Sequence, residues 1–581
     1  MKNPIRYLFS LFLLLMVVFL LGKIAFVAYN HSIAPLSFPE ILAVCWHGAL
    51  LDMRVSALAL LLPALCVCLM KKGQRWVLVP YFLLLALAIG IIIVADIVMY
   101  EFWQFKLSAV VLSYAASPEG TTNSVSMGFL FTRFLMIVFF VSIVAIPAIR
   151  FTPKKIQHSK YCWPLLPLLL IALLPVNVSS CYHPGRLFPS HAATNPIFRF
   201  AVSFGDSQAF ASQEAKFRDI PTGSPSYATS NAVTDTLLNT ARPNVLVVVM
   251  ESFGGKFVEE LGGLPGVAPN LSRLIPKGIF WDQYYSNSFR TDRGIVCTFS
   301  GTISYPTTSP MREVRLHSKL PSLAMSLHNA GYQTGYLYGG AMTNMGKYRY
   351  LADMGFEALL DGTYFTPEEL NSSWGAHDEM AAMKVYRTIA EIDTTARWFM
   401  AFQTISSHEP WDVPYHRLGD KRLNAFAYTD HCLGLLIDSL STLPAWDNML
   451  VIIIPDHGYL YEQTYDDSEF FHSPMLWVGG AVKEPRRMHT LMNQSDIAAT
   501  LLAQMGLSHD EYAWSRNVLA PDYTPFIYCN YPAGLFFKDA SGESPYDLSA
   551  GMPTPIGEPA DSLRLHKGLS ILRRSYYELY E

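Results

Sequence analysis

Apolar positions are unevenly spread along this chain: long unbroken runs crowd the first 180 residues, and short runs separated by polar stretches fill the remainder. Five of the early runs approach the roughly 20 residues that cross a bilayer as a helix. They are Leu8 to Tyr29, Val55 to Met70, Trp76 to Met99, Gly128 to Ile149 and Tyr161 to Val178. The first is longer than the core of a cleaved leader and no small-residue cleavage site follows it, so it is expected to stay as a helix, with Lys23 snorkelling at its far end. Lys71, Lys72 and Arg75 in one short loop, and Arg150, Lys154, Lys155 and Lys160 in another, outweigh the Arg54 and Lys106 of the opposite loops. The positive-inside bias then places the N-terminus inside and, after five crossings, everything beyond residue 178 outside. The loop from Tyr100 to Met127 opens on Tyr100, Phe102, Trp103 and Phe105 and continues into an apolar stretch near Val110 to Tyr114. It reads as an interfacial aromatic belt or a segment lying on the outer leaflet, without chemistry of its own.

From Ser179 to Arg242 the chain is polar and rich in proline, which suits a linker. The pattern then changes. Pro243 to Ser252 holds six consecutive apolar residues, four of them Val, as in a parallel strand covered on both faces, and ends at Glu251. Met449 to Pro455 repeats the pattern and ends in Asp456, His457 and Gly458. Short apolar runs alternating with helical stretches predict an α/β domain with a mostly parallel sheet. Pro525 to Asp539 reads as paired strands, and Leu565, Leu569, Leu572, Tyr576 and Leu579 fall at helical spacing. The expected division is a five-span membrane part (1–178), an extracytoplasmic linker (179–242), an α/β domain (243–520), and a small antiparallel subdomain with a terminal helix (521–581).

Composition agrees with this division. Of 581 residues, 51% are hydrophobic and only 15% charged, against about 25% charged in soluble domains. A net charge of −4 gives no argument for nucleic acid, which is not expected as a partner. Eight cysteines include Cys181, Cys297, Cys432 and Cys529 in the later part, without CxxC spacing, so neither a zinc knuckle nor a disulfide framework is implied.

Candidate chemistry gathers where loops leave strands, the edge at which α/β sheets bind ligands. Glu251 is one carboxylate there. Adjacent Asp456 and His457 offer oxygen and nitrogen ligands to a divalent metal. Thr291 precedes a helix expected from about Ile295; on the residues alone it fits an N-cap as well as a hydroxyl poised where amides and dipole favour an anion. Arg290 and Arg293 flank it, and paired guanidinium groups suit phosphate or sulfate. His408, with Trp411, follows the Trp398 to Ile405 run and could protonate a leaving oxygen or bind phosphate.

A Glu, a Thr, an Asp-His pair and a later His, in this order and each at a strand end, resemble the alkaline phosphatase and sulfatase superfamily. Within it, five spans and a Thr nucleophile look like the lipoteichoic acid synthase family, with phosphoethanolamine transferases as relatives. The resemblance covers nearly the whole chain. It implies that Glu251, Thr291, Asp456 and His457 bind one divalent ion, Mn2+ first and Mg2+ or Zn2+ as alternatives, that Thr291 is the nucleophile, and that His408 takes part in catalysis and substrate binding. Arg290, Arg293, Lys347, Trp411 and His472 complete the substrate-binding set it suggests. The family's head-group segment carries a His, a Trp and an Arg where this chain has Tyr338, Met345 and Lys347, so the head-group pocket has changed. A sulfatase would need a Cys or Ser in a C/S-x-P-x-R motif, and Phe289 to Arg293 lacks both that residue and the Pro. The implied activity is transfer of a phospho-alcohol, phosphoglycerol before phosphoethanolamine, from a phospholipid to a glycan or lipid acceptor outside a bacterial cytoplasmic membrane. A hydrolase of the same superfamily and a non-catalytic membrane scaffold are the competing readings. The residues do not name the head group, acceptor or metal.

Overall fold

The computed structural model describes residues 3–70, 72–115, 127–152, 163, 165–182, 186–212, 227–554 and 561–580. Four helices, Pro4–Tyr29, Phe38–Leu69, Gln74–Trp103 and Met127–Phe151, are long and apolar enough to cross a membrane. They share one core in which Leu15, Leu51, Leu60, Ile89 and Phe140 are buried.

Charges inside this bundle correct three expectations. Lys23 does not snorkel: it is 4% exposed, and its ammonium pairs with Asp52 of helix Phe38–Leu69. Asn195 donates to the other Asp52 oxygen at 2.9 Å. A partner at hand spares the lysine the several kcal/mol of an unpaired buried charge. The second helix starts at Phe38, well before Val55, and keeps Asp52 and Arg54 inside it because both find partners on other elements. Arg54, expected in a loop, donates to the carbonyls of Ala172 and Val176. The Ala172 acceptor is left over where helix Leu165–Ala172 stops, as helix C-termini leave them, and Val176 lies in the chain that follows. That helix is the described helical part of the fifth run. At 1.5 Å per residue its eight residues reach about 12 Å, well short of a bilayer crossing. Tyr161, Cys162 and Pro164 lie outside the described residues, as do Lys71, Lys154, Lys155 and Lys160 and the loop from 116 to 126.

The stretch expected as a linker is packed at both ends. Helix Leu187–Ala193 is buried throughout. Leu237 and Leu238 join the core of the α/β domain, where Leu238 forms a bridge with Val482.

The α/β domain is built on one sheet. In its first half β4 (Ala358–Leu360), β3 (Gln333–Tyr338), β5 (Trp398–Gln403), β1 (Asn244–Met250) and β6 (Met449–Pro455) run parallel, in that order. Beyond β6 it is mixed: β7 (His472–Val478) pairs antiparallel with β6 and with β2 (Ile279–Tyr285), and the short β8 (Arg486–Met488) and β9 (Met492–Asn493) run parallel to β2. β1 shows why the apolar run is unbroken. Val245, Val247 and Val249 pack into the core on one face, and Leu246, Val248 and Met250 into that on the other. The register Met250 to Pro455 sets Glu251 beside Asp456.

The tail forms a second, antiparallel sheet from β10 (Phe526–Tyr531), β11 (Gly534–Asp539), β12 (Gly542–Asp547) and β13 (Met552–Pro553). Helix Ser562–Tyr580 lays Ile571, Leu572 and Tyr576 against Leu535 and Phe537 of this sheet. The last two strands went unforeseen, because Glu543, Ser544, Pro545 and Asp547 carry no apolar run.

Candidate metal and nucleophile site

Glu251 leaves β1, Asp456 and His457 leave β6, and Thr291 opens helix Thr291–Ser300. The helix can come this close because of Gly294, where an added Cβ would stand 2.0 Å from the carbonyl oxygen of Asp456. Thr291 is the first helical residue and Arg290 the cap position, with no side-chain cap bond. The threonine hydroxyl faces the strand ends instead. Its Oγ1 is 3.5 and 3.4 Å from the two Glu251 oxygens and 3.4 Å from His457 Nε2. His457 Nε2 is in turn 3.8 Å from Glu251 Oε1 and 3.6 Å from Asp456 Oδ2.

These spacings suit one ion, since four ligands bound at about 2.0–2.2 Å in a tetrahedron stand roughly 3.3–3.6 Å apart. Three further features fit. Asp456 Oδ2 is buried and has no hydrogen-bond partner among the described residues, whereas Oδ1 accepts from the backbone N–H groups of Ser252 and His457 at 2.8 and 2.9 Å. His457 Nδ1 is 2.6 Å from the Gly458 carbonyl, so that nitrogen carries the proton and Nε2 keeps its lone pair for the site. Glu251, Asp456 and His457 bring one ligand atom each within 4.8 Å of one another.

The electrostatics of these groups favour a cation among them. Burial pushes the Asp456 carboxyl up to about 7, and the negative charge of Glu251 adds to it. Burial alone would lift Glu251 too, but His408, His457 and the Ser252 hydroxyl hold it below its ordinary value. Two buried carboxylates this close cannot both stay ionised without a positive charge between them.

Several neighbours escaped the sequence reading. Ser252 donates to Glu251 Oε1 at 2.9 Å, lies 3.5 Å from His457 Nε2, and holds a left-handed backbone with φ 58°. Such strain in a non-glycine residue clusters at functional sites. Gln403 donates to Glu251 Oε2 at 3.3 Å, and Thr404 accepts from the Glu251 N–H at 2.8 Å. Only Ser252 had a signal, its position next to Glu251.

The expected substrate groups separate. His408 lies in the loop after β5, its Nδ1 2.9 Å from the Glu409 carbonyl and its ring 4.5 Å from Trp374. Trp411 has φ 56°, packs against Tyr459, and has a buried indole N–H without a partner among the described residues. Arg293 is turned inward, donating to the Tyr305 carbonyl at 2.9 Å and to Asp292. Lys347 is buried between Gln403 Oε1, at 2.8 Å, and the Tyr338 ring, at 3.7 Å; burial lowers its pKa to about 8 against the pull of Glu251 and Asp456. Its ammonium thus reaches the site through Gln403. Met345, the counterpart of the family's Trp in the head-group segment, has φ 60°. His472 is engaged elsewhere, with Nε2 2.8 Å from the Asp282 carbonyl and its ring stacked on Tyr285. Arg290 is half-buried, its guanidinium 5.7 Å from the ring centre of Trp103.

Residues 243–507 match the sulfatase family. Curated relatives described as phosphoglycerol transferase I, from Xanthomonas campestris pv. campestris and Xanthomonas axonopodis pv. citri, are 24% identical over 312 and 311 residues. Each alignment takes in 49% of this chain and 44% of the relative, so the chain spans less than half the length of these proteins. Among solved structures, an alkaline phosphatase superfamily protein of Vibrio parahaemolyticus superposes with a TM-score of 0.52 at 21% identity, covering 64% of this chain and 95% of its own. The lipoteichoic acid synthase LtaP of Listeria monocytogenes superposes with a TM-score of 0.52 at 16% identity, covering 63% and 98%. Residues 243–507, which match the sulfatase family, form a sulfatase-like α/β domain whose fold is shared with these solved structures, following four apolar helices and preceding a small antiparallel sheet among the described residues.

Proposed function

We propose that this chain is a membrane-anchored phosphotransferase that moves a phospho-alcohol, phosphoglycerol in the first place, from a phospholipid to an acceptor alcohol through a covalent phospho-Thr291 intermediate. The observation that carries this reading is the position of the Thr291 hydroxyl, 3.4 to 3.5 Å from Glu251 and His457, at the start of a helix that needs no cap from it. The description of the curated relatives supports phosphoglycerol as the group moved.

Glu251, Thr291, Asp456 and His457 would hold a divalent ion, with manganese as first choice, whose charge would keep Thr291 as an alkoxide, its hydroxyl proton released to solvent, and would neutralise charge on the phosphoryl group. Thr291 Oγ1 then forms the new bond to phosphorus, and the diacylglycerol oxygen leaves, taking a proton from His408. In the second half the acceptor hydroxyl gives its proton back to His408 and attacks phosphorus, which frees Thr291. The N-terminal amides of helix Thr291–Ser300 and the Arg290 guanidinium stabilise the anionic phosphoryl oxygens. Trp411 and Trp374 supply apolar walls beside His408. With the N-terminus inside, the third crossing ends outside at Trp103, where Gln104 bonds to the α/β domain, so that domain lies on the outer face of a bacterial cytoplasmic membrane, beside its donor, and the acceptor is a glycan or lipid.

Replacing the nucleophile tests the reading. Thr291→Ala should lose nearly all transfer from a labelled phosphatidylglycerol while its melting temperature stays close to wild type, and Thr291→Ser should keep part of the activity. Activity of Thr291→Ala within about tenfold of wild type would exclude a covalent role.

A further inference from the structure

The aromatic segment after helix Gln74–Trp103 reaches the nucleophile loop. Gln104 ends that helix with φ 49°, a left-handed conformation that costs a non-glycine residue roughly 1–2 kcal/mol. The turn is fastened from the other side: Gln104 Nε2 donates to the Gln463 carbonyl of the sulfatase domain at 2.7 Å. Phe105, next along, is 2% exposed. It belongs to an apolar cluster with Phe289, Phe471 and Phe536 of the soluble part, its ring 6.4 Å from Phe289 and edge-on to it. Trp103 stacks on Phe105 at 5.6 Å and lies under the Arg290 guanidinium at 5.7 Å, within cation–π range. The membrane part thus touches the two residues that precede Thr291.

The remaining anchors of that loop lie on either side of this contact. Asn287 is tied by side-chain bonds to the Tyr528 carbonyl and the Ser495 N–H, at 2.9 and 2.8 Å. Helix Thr291–Ser300 is buried throughout. Between them, Phe289 is held by Arg293, 5.1 Å over its ring, and by the cluster containing Phe105.

We propose that Trp103 and Phe105 are positioning residues of the transfer site. They clamp Phe289 and Arg290, and so fix the Thr291 hydroxyl and the Arg290 guanidinium, against the membrane-facing side of the sulfatase domain. The inference rests on Thr291 being the nucleophile. It goes further in making the apolar helices part of the active site's geometry and more than a tether. It also explains strain at Gln104: the helix end is bent so that the chain docks there.

The test uses the full chain in lipid nanodiscs, comparing wild type with Trp103→Ala, Phe105→Ala and the conservative Trp103→Phe and Phe105→Leu. Hydrogen exchange of peptides covering 286–293 is read beside that of 526–539, together with metal content and head-group transfer from labelled phosphatidylglycerol. Both alanine variants are expected to raise exchange in 286–293 by about tenfold, with 526–539 and metal content unchanged. They should lower kcat about tenfold with KM within about twofold, and the conservative variants should restore both. Unchanged exchange in 286–293, or an equal rise in 526–539, would overturn the proposal. Wild-type protein that transfers no head group but shows the expected exchange pattern would remove the phosphotransferase reading and leave the clamp standing.

Discussion

At the scale of residues, the site sets two buried carboxylates beside each other, and Asp456 gives their mutual repulsion a measurable form. Its carboxyl is raised from 3.8 to about 7 by burial and by Glu251. In the metal-free protein the folded state therefore binds a proton that the unfolded chain has released, over the window from about pH 4 to 7. Stability from this group is present at the acid end and is lost as pH rises through about 7. Thermal unfolding of metal-free protein should show a falling midpoint from pH 5 to 8, and saturating Mn2+ should abolish the fall. Manganese affinity should strengthen over the same range, because binding displaces that proton. A flat profile without metal would mean that Asp456 is ionised throughout. Glu251, Thr291, Asp456 and His457 were all legible in the sequence, because each closes an apolar run or opens a helix. Gln403 and the inward turn of Arg293 were not. Gln403 is the last residue of β5, within an apolar run, and reaches Glu251 only through the pairing of β5 with β1, and Arg293 finds Tyr305 twelve residues further along the chain.

At the scale of elements, the fit of helix Thr291–Ser300 against the end of β6 decides whether the ligands meet. Gly294→Ala should force the helix off the Asp456 carbonyl and destabilise the protein by about 1–3 kcal/mol. Metal content should fall with it, which calorimetry and metal analysis would check; unchanged values would mean that the helix is looser than described. In the bundle, Asp52→Ala should cost about 3–5 kcal/mol because it strands the Lys23 ammonium, whereas Lys23→Met with Asp52→Leu should recover most of that loss. Detergent-unfolding curves of the two variants give the comparison, and equal stabilities would argue against a buried pair. The strands β1, β5 and β6 could be read directly from the sequence, since burial on both faces writes an unbroken apolar run. The helix Phe38–Leu69 could not: Asp52 and Arg54 interrupt its hydropathy, and only partners on other elements show that they belong inside it. The strand β12 was hidden for the same reason in reverse, having little apolar pattern to show.

At the scale of the whole molecule, the sulfatase domain is joined to the apolar helices by more than a linker. Tyr182 bonds to Asp547, and Leu187 N–H donates to Asp466 at 3.3 Å, so chain on either side of the undescribed residues 183–185 is docked on the soluble part. The division into an apolar first part and an α/β second part was evident from the spread of hydrophobic runs. The docking was not, because Trp103 and Phe105 look in sequence like any aromatic belt at a membrane surface. The claim on which the account depends most is that the phosphoryl group passes through Thr291, and intact mass analysis of the peptide containing it measures this directly. After incubation of the full chain with Mn2+ and phosphatidylglycerol, with acceptor withheld, that peptide should gain the mass of one glycerophosphoryl group. The gain should be absent in Thr291→Ala and should disappear when acceptor is added. An unmodified Thr291 peptide in protein that is turning over phosphatidylglycerol would contradict the account.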